Sequence, residues 1–194
     1  MNPLQQLADA KARATHTTDP NAPFGALATT SPEGQPSVRT VIVHDISDTA
    51  LFIAVSRLHR KWHDMETNGR FEMMLWYPVL SEQYRVKGHV EPAPTAQADS
   101  YWQQLPRDVQ RLDRTYEDAR LSPGDTLANL DVLKNHVQDT ALRYPNEVPT
   151  PDHVAALNLV AEEVEALIAS TDRVHTRQRF WLEDNVWQES FIVP

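Results

Sequence analysis

The chain has 194 residues, of which 41% are hydrophobic and 23% are charged, and its formal net charge is -9. This composition is typical of a globular domain and excludes a disordered chain. The acidic balance argues against nucleic acid and acidic membranes as partners, since the overall field repels phosphate polymers.

Cysteine is absent, which excludes disulfides and thiolate chemistry and suits a reducing cytoplasm. The first residues lack the apolar core of a signal peptide, and no apolar run is long enough to cross a bilayer. We therefore expect a cytoplasmic protein with no membrane partner.

Apolar spacing and turn residues predict the following elements in the first half of the chain. They are a helix at 3–13, a hairpin of strands 25–30 and 37–45, a strand at 50–56, a short helix at 59–69, and strands at 70–78 and 82–92.

The second half is predicted to begin with helices and to end with strands. Its elements are a helical stretch at 96–118, a long irregular excursion at 119–150 rich in proline, a helix at 152–163, and strands at 164–170, 173–182 and 186–193. Many short strands with inserted helices favour a small antiparallel barrel within a single domain, 1–194, with a helical and irregular excursion at about 95–163.

The strand at 37–45 has apolar residues on both faces, at Val38, Val41, Ile42 and Val43, which predicts that both faces are covered. Arg39 shares a face with Val41 and Val43. A buried guanidinium at this position needs a carboxylate or a bound anion as its partner.

Arg60 and Lys61 open the short helix, although helix N-termini favour negative charge. A bound phosphate resolves this conflict. A solvated surface pair is the simpler alternative. The five glycines are too scattered to form a phosphate-binding loop, so side chains have to neutralise any phosphorylated ligand.

Alternate positions of the segment "DRVHTRQRFW" carry Arg173, His175, Arg177 and Arg179. On a strand these side chains share one face, where like charges repel unless something anionic lies there. Nearby acidic residues on an outer face are the alternative. His59 and His63 have helical spacing, but the cations between them disfavour a metal ion, and no metal site is assigned.

Four segments in this order resemble the pyridoxine/pyridoxamine 5'-phosphate oxidase family: "PSVRTVIVH", "HRKWHDMETNGRFEMMLWYP", "EQYRVKGHVE" and "RVHTRQRFW…VWQESFIVP". The resemblance runs from about residue 23 to the end. It implies a mainly β fold with helices, the six-stranded antiparallel FMN-binding split barrel. It also implies a homodimer that holds FMN at its interface and acts on a small-molecule substrate.

The resemblance further implies the site residues, while the catalytic residue stays unassigned. The cofactor-binding set is Arg39, Thr40, Val41, Ile42, His44, Val55, Arg60, Lys61, Gln83 and Arg177. The substrate-binding set is Tyr101, Arg173 and His175.

Several positions depart from the family pattern. His44 stands for the family lysine, and Leu167 for a tryptophan beside the flavin. Leu105 and Val109 stand for an arginine and a serine that hold the substrate phosphate. The expected function is therefore an FMN-dependent oxidoreductase with an altered substrate site. A flavin- or haem-binding module without turnover and a scaffold that binds nothing remain alternatives.

Overall fold

The computed structural model describes residues 1–194, which form five helices and nine strands. The helices are α1 (Pro3–His16), α2 (Arg60–Asn68), α3 (Thr95–Gln104), α4 (Arg107–Asp118) and α5 (Leu130–Arg143). The strands are β1 (Phe24–Thr30), β2 (Pro36–Ile42), β3 (Asp45–Ile46), β4 (Ala50–Ser56), β5 (Arg70–Tyr77), β6 (Glu82–Pro92), β7 (Val154–Ile168), β8 (Thr176–Glu183) and β9 (Val186–Phe191).

The strands form one sheet in the order β2-β1-β5-β6-β7-β4-β3, with β8 added to β7 and β9 added to β8. The β1–β2, β1–β5, β5–β6, β6–β7, β7–β8 and β8–β9 pairs are all antiparallel. The sheet therefore has nine strands, where the sequence resemblance implied six.

The chain divides into two compact units. The first contains Met1–Ile53, His63–Pro92 and Leu157–Pro194, and the second contains Ala54–Trp62 and Ala93–Ala156. The core of the first unit consists of aliphatic and aromatic side chains from the sheet and α1, among them Leu4, Leu7, Leu27, Leu51, Met73, Leu75, Tyr84, Val86, Leu159 and Phe180.

Strands β5 and β6 alternate between buried and more accessible residues, as expected for strands with one face on a core. In β6 the buried positions are Glu82, Tyr84 and Val86, and the outward positions are Gln83, Arg85 and Lys87. The register of β6 and β7 shifts between Lys87 and Gly88. A Cβ at Gly88 would lie 1.8 Å from the carbonyl oxygen of Val160, so this irregularity requires glycine.

The second unit is built around Trp102 of α3, which is fully buried. Its indole Nε1 donates to the carbonyl of Val148 at 3.2 Å, and Gln110 of α4 donates to the carbonyl of Trp102 at 2.7 Å. The hydroxyls of Thr115 and Thr140 join α4 to α5 at 3.0 Å. The buried side chains of Trp102, Gln110, Thr115 and Thr140 are thus hydrogen-bonded, as buried polar groups require.

Most predicted elements of the first half are confirmed, including α1, the β1–β2 hairpin, β4, α2, β5 and β6. Gly69, with φ +67°, follows α2, and its N–H donates to the carbonyl of Met65 at 2.7 Å. The predicted end of this helix at Asn68-Gly69 is therefore confirmed by a left-handed cap.

The helix predicted at 152–163 is wrong. These residues belong to β7, a strand of 15 residues that pairs with β6 from Leu157 to Ile168. The alanine, leucine and glutamate residues of this segment favour a helix locally, and long-range strand pairing overrides that preference.

The predicted irregular excursion at 119–150 is also wrong in part, because it contains α5. Asn129 caps this helix, since its side-chain oxygen accepts from the N–H groups of Asp131 and Val132. The single helical stretch predicted at 96–118 is two helices, which are separated at Leu105 and Pro106.

The strand predicted at 37–45 ends at Ile42, and only one of its faces is covered. Val41 and Val43 are buried, whereas Val38 is 70% exposed and Ile42 is 45% exposed. The apolar residues on the second face therefore form a surface.

Candidate functional site

The Arg39 guanidinium lies on the covered face of β2. Its Nη1 donates to the hydroxyl of Thr29 at 2.7 Å and to the carbonyl of Leu27 at 3.2 Å, and its Nη2 donates to the hydroxyl of Ser37 at 2.7 Å. The carboxylate of Asp64 lies 3.7 Å from Nη2. The sequence predicted either a carboxylate or a bound anion as the partner of Arg39, and the structure supplies the carboxylate of Asp64.

Thr40 and Ile42 lie on the accessible face of β2, and Val41 points to the core. Thr40 lines a shallow cleft of about 360 Å³ with Phe24, Met74, Trp76 and other residues of the first unit. Aromatic and apolar walls of this kind suit a flat ring system.

Gln83 lies on the outward face of β6, opposite Trp76 of β5 and Leu167 of β7. The backbone N–H of His44 donates to Phe52 at 3.0 Å, and the two rings are 6.0 Å apart. Burial lowers the pKa of His44, and the charge of Lys11 lowers it further. The imidazole of His44 is therefore neutral at pH 7, at the position where the sequence resemblance implies a lysine.

Arg60 and Lys61 begin α2, as predicted, and the first turn of this helix has no acidic residue. The side chain of Arg60 is exposed and that of Lys61 is half-buried. Val55 is buried in β4. These three residues belong to the second unit.

The prediction that Arg173, His175, Arg177 and Arg179 share one strand face is wrong for the first two. Strand β8 begins at Thr176, so Arg173 and His175 precede it. Only Arg177 and Arg179 project together, and β7 supplies a carboxylate for each. Arg177 donates to Glu165 at 2.6 Å and 3.1 Å, and Arg179 pairs with Glu163.

These pairs extend into a row of opposite charges across the sheet. Arg85 of β6 lies 3.5 Å from Glu165 and 2.5 Å from Glu72 of β5. Lys87 lies 2.8 Å from Glu163. The alternative interpretation of this segment, an outer face on which acidic residues compensate the cations, thus describes Arg177 and Arg179.

Arg173 and His175 belong to a turn that joins β7 to β8. Arg173 is exposed and has a φ of +69°, an uncommon conformation for a residue with a side chain. The Nδ1 of His175 accepts from the N–H of Ser170 at 3.0 Å. A neutral His175 ring therefore carries its proton on Nε2. Asp172 holds the turn, because its carboxylate accepts from Ser170 and Val174.

Tyr101 lies on α3 in the second unit and is half-buried. Burial raises the pKa of its hydroxyl, and the carboxylate of Asp113 raises it further. Burial also raises the pKa of Asp113, while the positive charges of His153 and Lys61 oppose this shift. Asp113 thus interacts electrostatically with both Lys61 and Tyr101.

Three acidic residues beside the predicted site were not identified from the sequence: Asp64, Asp113 and Glu165. Glu163 and Glu165 alternate along β7 as Arg177 and Arg179 alternate along β8, and this pattern could have predicted the ion pairs. No local pattern reveals that Asp64 is buried against Arg39, since their contact joins residues 25 positions apart.

The structure contains no cluster of three or more histidine, aspartate or glutamate residues that is suited to hold a metal ion. None of its helices combines the length and the apolar character that a membrane span needs.

The chain is similar to known proteins in family, sequence and fold. The family model described as "Pyridoxamine 5'-phosphate oxidase" matches residues 13–138. A pyridoxine/pyridoxamine 5'-phosphate oxidase of Anaeromyxobacter dehalogenans is 29% identical over 194 residues, covering 100% of this chain and 96% of the relative. One from Myxococcus xanthus DK1622 is 28% identical over 196 residues, covering 100% of this chain and 92% of the relative.

Two solved structures share the fold. PhzG of Burkholderia lata 383, in complex with tetrahydrophenazine-1-carboxylic acid, superposes with a TM-score of 0.88 at 22% identity, covering 100% of this chain and 93% of that chain. A pyridoxamine 5'-phosphate oxidase-related, FMN-binding protein of Nostoc punctiforme has a TM-score of 0.76 at 20% identity, with 96% of each chain covered. These likenesses confirm the predicted fold class, a mainly β split barrel with helices.

Proposed function

Because the chain belongs to the pyridoxamine 5'-phosphate oxidase family, we propose that it is an FMN-binding oxidoreductase that works as a homodimer in the cytoplasm. The observation that carries this proposal is the pair Arg60 and Lys61 at the first turn of α2, where no acidic side chain is present. A dianionic phosphate at this end of the helix would interact favourably both with the two cations and with the helix dipole.

The residues present fit FMN. Arg60 and Lys61 supply positive charge for its phosphate. Thr40, Gln83 and Arg177 supply hydrogen-bonding groups for its ring system and ribityl chain, and all three lie on the accessible face of the first unit. Once bound, FMN supplies the hydride and electron transfer chemistry that these side chains lack.

The chain's own groups bind and orient the substrate in this proposal. His175 presents Nε2–H as a donor, because Ser170 occupies its other ring nitrogen. Arg173 offers an exposed guanidinium to an anionic group. The hydroxyl of Tyr101 is protonated at neutral pH, because the ordinary pKa of tyrosine is about 10 and burial and Asp113 raise it further. It is therefore available as a hydrogen-bond donor.

We further propose that the substrate differs from pyridoxamine 5'-phosphate. Leu105 and Val109 provide no charge or hydroxyl where the family binds the substrate phosphate. The loss of an arginine–phosphate contact costs a few kcal/mol, or roughly a hundredfold in affinity. The same substitutions favour a second candidate, a protein that binds flavin without turning over a substrate.

An exposed apolar surface on the first unit supports the homodimer. Phe24, Val38, Ile42 and Met74 are between 39% and 70% exposed and lie on β1, β2 and β5, which are neighbours in the sheet. Contiguous apolar surface of this kind marks interaction sites, and we take a second copy of the chain as the partner because the family resemblance implies a homodimer.

The test is a visible absorption spectrum of the purified protein, followed by titration of the stripped protein with FMN. We expect bound flavin in the wild type and loss of it in the double variant Arg60→Ala/Lys61→Ala. The double variant Arg107→Ala/Lys134→Ala, which removes two cations elsewhere in the second unit, should retain it. Wild-type protein that fails to bind FMN contradicts the proposal.

Steady-state assays separate the two candidates. Oxygen consumption with pyridoxamine 5'-phosphate, pyridoxine 5'-phosphate and other small amines, and with reduced nicotinamides as donors, should detect turnover by an oxidoreductase. Tight FMN binding without turnover of any of these compounds favours the flavin-binding module.

A further inference from the structure

A cavity of about 450 Å³ lies within the second unit, and none of the residues assigned to FMN or to the substrate lines it. Its walls come from the end of α4, the loop that follows α4, the segment before β7, and Leu58. The apolar part of the wall consists of Leu58, Tyr116 and Leu121, which are all half-buried. Cavities of about 300–1,000 Å³ with such walls commonly bind small molecules.

The ring of His153 forms a fixed part of this wall. It is 6% exposed, and both of its nitrogens are engaged, Nδ1 with the hydroxyl of Ser56 at 3.0 Å and Nε2 with the backbone carbonyl of Asp113 at 3.1 Å. A carbonyl only accepts, so Nε2 carries a proton. The imidazole therefore offers a ligand its ring surface and no free polar atom.

Arg120 combines an unfavourable backbone conformation with an unpaired charge. It follows α4 with a φ of +53°, at the position where glycine usually ends a helix. Its N–H donates to the carbonyl of Glu117 at 3.1 Å, and the N–H of Leu121 donates to that of Tyr116 at 2.8 Å. The guanidinium is exposed and forms no hydrogen bond or ion pair with the chain. No contact within the protein thus explains an arginine here, which makes it a candidate functional residue.

The carboxylate of Asp152 is a second unpaired charge at the cavity. The backbone at this residue is fixed, because its N–H donates to Oε2 of Glu117 at 2.7 Å and its carbonyl accepts from Arg57 at 3.4 Å. The other oxygen of Glu117 lies 3.0 Å from Arg114, which compensates its charge. The side chain of Asp152 is exposed and has no partner in the chain. The cavity therefore presents one free cation and one free anion beside an apolar wall.

We propose that this cavity binds an α-amino acid with an apolar side chain. The guanidinium of Arg120 binds the carboxylate of the ligand, and the carboxylate of Asp152 binds its ammonium group. The apolar side chain packs against Leu58, Tyr116 and Leu121. A ligand with a single charge leaves one of the two protein charges unpaired, so a zwitterion is the chemistry that matches both.

The experiment is isothermal titration of the purified full-length protein with L-phenylalanine and two analogues of similar size. Phenethylamine lacks the carboxylate, and 3-phenylpropanoate lacks the ammonium group. We expect L-phenylalanine to bind about tenfold more tightly than either analogue, because each of them loses one charged contact. L-leucine and L-methionine should also bind, whereas L-aspartate should not, since it would place a charge against the apolar wall.

Two variants assign the contacts to individual residues. Arg120→Gly removes the guanidinium and suits the left-handed backbone, so it should raise the urea concentration at the midpoint of unfolding while the affinity for L-phenylalanine falls to that for phenethylamine. Asp152→Asn should lower the same affinity to that for 3-phenylpropanoate. Arg173→Gly is the matched control, because Arg173 is an exposed arginine of the first unit with a φ of +69°. It should leave L-phenylalanine binding unchanged.

Four results would overturn the inference. The first two are the absence of binding by all three apolar amino acids at millimolar concentration, and equal binding of L-phenylalanine and its analogues. The third is a loss of L-phenylalanine binding in Arg173→Gly with none in Arg120→Gly, which would place the ligand at the proposed substrate site. The fourth is a loss of bound FMN in Arg120→Gly, which would assign this arginine to the flavin.

Discussion

Glu165 of β7 accepts two hydrogen bonds from the guanidinium of Arg177 on β8, and both end on the same oxygen, Oε2, at 2.6 Å and 3.1 Å. The same oxygen lies 3.5 Å from Arg85 of β6. The side chain of Glu165 is only 11% exposed, so arginines from the two strands that flank β7 share one largely buried carboxylate.

The substitution Glu165→Gln should therefore destabilise the protein. It removes the carboxylate that pairs with Arg177, whereas Arg85 keeps its pair with Glu72. The cost should be about 1–3 kcal/mol, less than for a fully buried pair because both arginines retain some solvent contact. The free energy of unfolding in urea measures the effect.

Glu162→Gln is the matched control on the same strand. Its partners Arg70 and His89 are 58% and 38% exposed and Glu162 itself is 38% exposed, so the loss should stay below about 1 kcal/mol. Equal losses of unfolding free energy in the two variants would show that the ion pairs of Glu165 contribute no more to stability than those of the more exposed Glu162.

The segment 172–181 shows what the sequence could and could not predict about the site. Strand alternation correctly placed Arg177 and Arg179 on one face, because both lie within β8. It failed for Arg173 and His175, because the strand starts at Thr176 and the preceding turn is fixed by Asp172. Strand ends depend on hydrogen bonds of individual side chains, which periodicity does not report.

The same distinction applies to the fold. The hairpin, β4 and α2 were predictable because turn residues and apolar spacing are local signals. Strand β7 was not, since its residues 157–168 pair with residues of β6 that lie 65 to 86 positions earlier in the chain. The burial of Asp64 could not be predicted for the same reason, because it depends on contacts with Thr29 of β1 and Arg39 of β2.

Gly88→Ala should prevent normal folding or destabilise the protein by on the order of 3 kcal/mol. The new Cβ would lie 1.8 Å from the carbonyl oxygen of Val160, a backbone atom that cannot move without breaking the β6–β7 register. Thermal unfolding of the purified variant checks this.

Gly124→Ala is the control for backbone conformation. Its φ is +104° and nothing lies within 4 Å of an added Cβ, so only conformational strain of about 1–2 kcal/mol is expected. A smaller loss at Gly88 than at Gly124 would contradict the steric explanation.

Val38→Glu/Ile42→Glu should convert a dimer to a monomer, because it places two charges on the exposed apolar face of β2. Sedimentation velocity measures the mass. Val109→Glu, a substitution at a 40% exposed valine of α4, is the control and should leave the assembly intact. A wild type that sediments as a monomer would contradict the proposed homodimer directly.

Leu105→Arg/Val109→Ser should raise kcat/KM for pyridoxamine 5'-phosphate by about tenfold or more, because it restores a cation and a hydroxyl to the proposed substrate site. Leu105→Gln/Val109→Ser restores polarity without charge and should gain much less. If the first variant binds FMN normally and gains nothing over the second, these two positions do not determine the substrate.

Protein stability should fall as the pH drops from about 6.5 towards 4, in part because of His59. Burial lowers the pKa of His59 to about 4, with further contributions from the charges of Lys61 and His153, whereas the unfolded chain has an ordinary histidine pKa of about 6.5. Above pH 6.5 the ring is neutral in both states. Between these values the unfolded chain binds a proton that the folded protein rejects, so the free energy of unfolding decreases with falling pH.

The variant His59→Gln removes this proton-binding difference and should flatten the stability profile between pH 6.5 and 4. Urea unfolding at intervals of half a pH unit gives the profile. His63→Gln, an exposed histidine of α2, the helix that begins directly after His59, is the control and should leave the wild-type slope unchanged. If His59→Gln keeps the full slope, the acid sensitivity belongs to other groups, and the imidazole of His59 is not held neutral by burial.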